Sequence, residues 1–205
     1  MTAAPVVFVI DDDASVRSSL KLLIGTIGLR VETFAAPDDF LRKQPLDSPS
    51  CLILDVRLPR LNGLDFQREL AMRKIRVPII FITGYGDIPM SVRAMKDGAV
   101  EFLTKPFRDQ DLLDAVHAAI ERDRARREQE QEVKGIQDRF ENLSSREREV
   151  TYLVVEGLLN KQIADQLGTA ENTVKVHRSR AMTKMQANSV ADLVKMVQKL
   201  KDTPK

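Results

Sequence analysis

The chain has 205 residues, with 32 Lys and Arg against 30 Asp and Glu, and 43% of it is hydrophobic. That balance suits a folded globular protein; it excludes a disordered chain or a collagen, and the single cysteine, Cys51, excludes a disulfide scaffold. No apolar run approaches the ~18 residues of a membrane span, and the opening MTAAPVVFVIDDD turns acidic too soon for a signal peptide, so the cytoplasm is the expected location.

Near-neutrality hides a split. Residues 1–120 carry 15 Lys and Arg against 16 Asp and Glu, whereas residues 159–205 carry 9 against 4. Two domains with different partners are expected.

In chain order, the apolar run Pro5–Ile10 predicts a strand, followed by a helix near Ala14–Ile27 that ends at Gly28. Next come a strand over Leu29–Phe34, a helix near Pro37–Lys43, a strand at Cys51–Leu54 and a helix near Leu64–Lys74. Val77–Ile82, a helix near Ile88–Lys96, Val100–Leu103 and a helix from Asp109 complete the series. Five strands alternating with five helices predict an α/β doubly wound, five-stranded parallel sheet, with strands apolar on both faces. This first domain spans 4–120.

Residues 121–142 shift to Arg, Glu and Gln and predict a helical linker. Within it Val133, Ile136, Phe140 and Leu143 keep a 3-4-3 spacing, open to two readings: a solvated spacer or a short coiled-coil seam between two copies. Residues 143–200 then predict an all-α, four-helix domain. Ser144-Ser145-Arg146-Glu147 has the form of a capping box, and Gly157 and Gly168 are placed to end the first two helices. A third helix runs from about Ala170 to Met185 and a fourth over Val190–Leu200. A short helix, a Gly-containing turn and a longer basic helix have the form of a helix-turn-helix.

Ligands of an open parallel sheet bind outside the carboxyl ends of its strands. Strand one ends in Asp11-Asp12-Asp13, strand three in Asp55, strand four in Thr83 and strand five leads to Lys105-Pro106. Clustered carboxylates repel one another unless a cation joins them, and hard oxygen donors suit Mg²⁺. One carboxylate can instead attack phosphorus, with metal, Lys and hydroxyl neutralising the phosphoryl oxygens. Singly, Asp13 reads as a helix cap, Thr83 as a cap and Lys105 as a surface charge; together, at the correct strand ends, they form a constellation.

These residues resemble the receiver domain of two-component response regulators. The resemblance implies that Asp55 is the phosphoacceptor, and that Asp11, Asp12, Asp55 and the backbone carbonyl of Arg57 hold Mg²⁺. It makes Thr83 the switch hydroxyl, Lys105 the phosphoryl-binding lysine and Phe102 the switch aromatic. It also implies a cis Lys105–Pro106 bond. Thr83-Gly84-Tyr85-Gly86-Asp87-Ile88-Pro89-Met90 is similar to the FixJ-type subfamily, where His is more usual than Tyr85.

Glu171–Arg180 divides as a major-groove helix should. Val174, His177 and Ala181 are expected to face the core, His177 packed and hydrogen-bonded, while Lys175, Val176, Arg178 and Ser179 face outward. Residues 143–200 resemble the LuxR-type helix-turn-helix through Leu143–Val150, Gly157–Ala164 and Thr173–Arg178. That resemblance implies base contacts from Lys175, Val176 and Ser179, and phosphate contacts from Asn160, Lys161, Thr173, Arg180 and Lys184. Ala170 departs from the Ser or Thr usual at the cap of the recognition helix.

The combined resemblance implies a phosphorylation-dependent transcription regulator rather than a turnover enzyme. Its expected partners are a sensor histidine kinase, promoter DNA, RNA polymerase and, once phosphorylated, a second copy of itself. An aspartate-nucleophile phosphohydrolase is the competing class, since Asp11-Asp12-Asp13 contains D-x-D. Such enzymes continue with Thr or Val where this chain has Ala14-Ser15, and the basic half would go unexplained. A phosphorylation-independent DNA binder is opposed by Asp55, Thr83 and Lys105.

Overall fold

The computed structural model describes residues 4–43, 47–59 and 61–202. Strands β1 (Val6–Ile10), β2 (Arg30–Phe34), β3 (Ser50–Asp55), β4 (Ile79–Thr83) and β5 (Glu101–Thr104) alternate with helices. These helices are α1 (Ala14–Gly25), α2 (Pro37–Leu41), α3 (Gly63–Met72), α4 (Ile88–Lys96) and α5 (Asp109–Glu141). All strand pairs are parallel, in the order β2-β1-β3-β4-β5. The expected doubly wound sheet is present.

Successive strand side chains point to opposite faces, so an apolar run serves two cores. Phe8, Leu52, Leu54 and Phe81 pack on Phe40, Phe66, Leu70 and Ala94 from α2, α3 and α4. Val7, Val9, Ile53 and Ile82 pack on Leu20 and Ile24 of α1 and Leu112 and Val116 of α5. Cys51 is wholly buried in the second core, and that burial pushes its thiol up to about 12. It is core filler, as its place in a strand run suggests.

The chain divides into two compact units between Arg127 and Glu128. The stretch expected as a linker, 121–142, is therefore shared out. Asp123 is fully buried in the first unit, where its carboxylate accepts from the Ser50 backbone N–H at 2.9 Å and from Arg127 Nε at 2.6 Å. Arg126 donates to the same carboxylate. At the other end, Ile136 and Leu143 are buried and Phe140 half-buried in the core of the second unit. Three of the four stripe residues are thus packed against this chain's own helices, while Val133 is half-buried outside that core.

Those helices are α6 (Ser145–Val155), α7 (Asn160–Leu167), α8 (Glu171–Met185) and α9 (Val190–Asp202). The capping box forms as expected, Ser144 Oγ accepting from the Glu147 N–H and Glu147 accepting from the Ser144 N–H. Gly168 ends α7 with φ +60, a left-handed conformation that favours glycine. Ala170 caps α8 without any side-chain hydrogen bond, so neither Thr169 nor Asn172 stands in for the missing hydroxyl. No helix among the described residues is long and apolar enough to cross a membrane.

Candidate functional site

The strand order reverses at β1 and β3, which opens a crevice at their carboxyl ends. Register sets Ile10 beside Leu54, so the next residue of each strand, Asp11 and Asp55, comes to one rim. Asp11 and Asp55 are buried and Asp12 is exposed, with carboxylate oxygens of all three within 4.8 Å of one another. Lys105 Nζ lies between two of them, donating to Asp11 at 2.9 Å and to Asp55 at 3.0 Å. Four of the expected residues thus converge.

Burial is the largest influence on Asp11 and lifts its carboxyl above the ordinary aspartate value, against the pull of Lys105 and of the Asp13 N–H. Burial equally opposes charge on Lys105, yet its bonds to Asp11 and Asp55 leave the ammonium above the ordinary lysine value. A carboxylate set beside an ammonium at the rim of the sheet is placed to act as a nucleophile. Three hard oxygen donors, two of them buried, also fit a small divalent cation.

The rim is built by local chemistry. Asp13 caps α1, accepting from the N–H groups of Ser15 and Val16, so it is turned from the cluster as expected for a cap. The Arg57 N–H donates to Asp55 Oδ1 at 2.9 Å, fixing the carboxylate. Gly63 passes so close that a Cβ there would stand 2.5 Å from the Asp55 carbonyl oxygen, which only glycine avoids. Thr83 is fully buried at the end of β4, its hydroxyl donating to the Tyr85 carbonyl and accepting from the Tyr85 N–H. Phe102 is half-buried on β5, its ring 6.2 Å from that of Phe81. The Lys105–Pro106 bond is cis, as expected.

In the second unit, α8 turns Val174, Ala181 and Met185 into the core. Lys175, Val176, Ser179 and Arg180 are turned outward on it, Val176 exposed at 45%, and Lys161 and Thr173 are exposed nearby in sequence. An exposed valine flanked by cations on a helix is the composition a thymine methyl and a phosphate backbone call for. Lys175 pairs with Glu171 at 3.2 Å, a contact between exposed side chains that DNA can displace.

Two of the residues expected at phosphate have partners within this unit: Lys184 donates from Nζ to Glu147 at 2.6 Å and to the Asn142 carbonyl at 3.3 Å, and Asn160 accepts from half-buried Arg178 at 2.9 Å. One expectation needs correction. His177 is half-buried, but its buried Nδ1 has no hydrogen-bond partner among the described residues. The sequence reading also missed Asp123, which looked like one charge among many.

Residues 7–117 match response regulator receiver domains, and residues 141–197 match bacterial regulatory proteins of the luxR family. Nodulation protein W of Bradyrhizobium diazoefficiens is 56% identical over 195 residues, covering 95% of this chain and 86% of that protein. The transcriptional regulatory protein FixJ of the same organism is 39% identical over 196 residues, 96% of each chain. Among solved structures, the response regulator StyR is similar with a TM-score of 0.87 and 46% identity, covering 96% of this chain and all of that one.

Proposed function

Since the chain belongs to the response regulators that join a receiver domain to a LuxR-type DNA-binding domain, the group that includes FixJ, we propose that Asp55 is its phosphoacceptor and α8 its reader of DNA. The observation that carries the first half is Lys105 Nζ, 2.9 Å from Asp11 and 3.0 Å from Asp55 at the carboxyl rim of the sheet.

An oxygen of Asp55 attacks the phosphorus of a phosphohistidine on the sensor kinase. The N–P bond breaks as the O–P bond forms, leaving an acyl phosphate on Asp55 and a free histidine. Lys105 and the Thr83 hydroxyl hold the phosphoryl oxygens. Asp11, Asp12, Asp55 and the Arg57 carbonyl would hold Mg²⁺, which supplies charge neutralisation at the transferring group. Transfer is stoichiometric, so the protein is a phosphorylated switch and not a turnover enzyme. Movement of Thr83 toward the phosphoryl group carries Phe102 with it and alters the β5 face.

Phosphorylation then favours a dimer that binds promoter DNA in the cytoplasm and engages RNA polymerase. Lys175, Val176 and Ser179 meet base edges, while Lys161, Thr173 and Arg180 meet phosphates. Asn160 and Lys184 serve this interface by holding the helices that present it. The domains are the receiver over 4–127 and the DNA-binding unit from 128 to 200, without a separate linker.

Incubation with acetyl phosphate and Mg²⁺ should add one phosphoryl group by intact mass and raise affinity for the cognate promoter. An Asp55→Asn chain that still gains the group, or wild-type protein whose DNA affinity ignores it, defeats the reading.

A further inference from the structure

Two loops of the receiver are tied to its reacting groups through their backbones. In the β3–α3 loop the Arg57 N–H donates to Asp55 Oδ1 at 2.9 Å. In the β4–α4 loop the Tyr85 N–H donates to Thr83 Oγ1 at 3.2 Å, and that hydroxyl in turn donates to the Tyr85 carbonyl at 3.3 Å. The two side chains then meet: the Arg57 guanidinium carbon lies 4.4 Å from the centroid of the Tyr85 ring. Tyr85 is 70% exposed, so core packing does not fix the ring.

The Thr83 hydroxyl therefore has its hydrogen directed at Tyr85. To donate to a phosphoryl oxygen on Asp55 it must release the Tyr85 carbonyl. The loop has little slack for this, since a Cβ at Gly86 would stand 2.8 Å from Thr104 Cγ2 and 2.9 Å from Phe102 Cε1. Whatever steadies Tyr85 steadies Thr83.

We propose that the Arg57–Tyr85 stack is a latch that keeps the Thr83 hydroxyl turned to Tyr85, making both residues positioning residues for phosphoryl capture. The latch rests on the assignment of Asp55 and Thr83 given above. Cation–π contacts at exposed sites are weak, so releasing it favours the captured state by about two- to fivefold. That sets a threshold without blocking transfer.

The probe is beryllofluoride with Mg²⁺, a tetrahedral phosphoryl mimic, titrated into the full chain and followed by ¹⁹F NMR. Arg57→Met and Tyr85→Leu should each tighten apparent beryllofluoride binding by about two- to fivefold, and the double variant should do no more than either alone. Tyr85→Phe, which keeps the ring face, should match wild type. The direction is diagnostic, because Arg57 acting only as a charge would attract the anion, and its loss would weaken binding. In a Thr83→Ala background the gain from Tyr85→Leu should vanish. A Phe variant that behaves like Leu, an additive double, or a gain that survives Thr83→Ala overturns the latch. A retained beryllofluoride signal in Asp55→Asn instead overturns the phosphoacceptor assignment beneath it.

A second readout needs neither metal nor phosphoryl mimic. The chain has two tyrosines and no tryptophan, so Tyr152→Phe leaves Tyr85 as the sole tyrosine fluorophore. In that background Arg57→Met should increase acrylamide quenching of Tyr85. Unchanged quenching means there is no stack to release.

Discussion

Lys184, in the last turn of α8, donates to Glu147 Oε2 at 2.6 Å, and the same oxygen accepts from the Ser144 N–H at 2.8 Å to close the capping box of α6. One buried carboxylate thus secures the start of one helix and the end of another. Lys184 is foremost in holding the glutamate below the ordinary carboxylate value, with the Ser144 N–H second. A carboxyl held low in the folded state stabilises it above the ordinary glutamate pKa, and that stabilisation drains as pH falls through the lowered value. Lys184→Met should lower the stability of the second unit by about 1 kcal/mol near neutral pH, since one end of the pair is partly in solvent. Thermal melts across the acid range check it: the variant and wild type should converge as pH falls.

Asp123 is the counterpart in the first unit. Its buried carboxylate accepts from the Ser50 N–H, Arg126 and Arg127, joining α5 to the start of β3. Removing it leaves a buried amide without its acceptor and takes an anion away from two guanidinium groups. Asp123→Ala should destabilise the receiver by about 3 kcal/mol, read from urea unfolding of the full chain followed by a receiver-specific probe. A loss near zero would return Asp123 to the solvated linker that its neighbours suggest.

These two carboxylates mark where the sequence is legible and where it is not. The short apolar runs at Val6–Ile10 and Cys51–Leu54, each followed by a helical pattern, read as strands buried on both faces, and that alternation places Asp11 and Asp55 at one rim. Capping residues Asp13 and Ser144 are equally readable, because a cap is a local contact. Asp123 is not, since its acceptor role depends on Ser50, 73 residues away. The stripe through Ile136, Phe140 and Leu143 is visible as a period, but periodicity does not say whether a second copy or the chain's own helices cover it. Lys184 reads as one more cation on a basic helix for the same reason: Glu147 lies 37 residues earlier.

Asp12 and Asp13 are adjacent and differ in task. Asp12 shares the 4.8 Å cluster with Asp11 and Asp55, while Asp13 accepts from the Ser15 and Val16 N–H groups. Asp12→Ala should weaken Mg²⁺ binding in a titration and leave the melting temperature unchanged or raised, because like-charge repulsion is relieved. Asp13→Ala should cost about 1 kcal/mol of stability as a lost helix cap and leave Mg²⁺ affinity close to wild type. Equal losses of affinity in both would erase the distinction.

The exposed side of α8 separates sequence reading from charge. Lys175 is exposed at the second turn and pairs with exposed Glu171, whereas Arg180 is exposed one turn before Lys184, which donates to Glu147. A dimer of such units should span half-sites about one helical turn, ~10 bp, apart. Lys175→Ala should cost roughly 1–3 kcal/mol on the specific site and little on random DNA. Arg180→Ala should weaken both DNAs alike and reduce the salt slope by about one unit, as loss of one phosphate contact does. Lys184→Met should leave the salt slope unchanged and lower DNA affinity only as far as α8 loosens. Fluorescence anisotropy of all three variants on both DNAs, repeated over a salt series, tests the division. A reduced salt slope in Lys184→Met would show that the lysine leaves Glu147 for phosphate, and equal losses on both DNAs in Lys175→Ala would mean that α8 presents a different face to the groove.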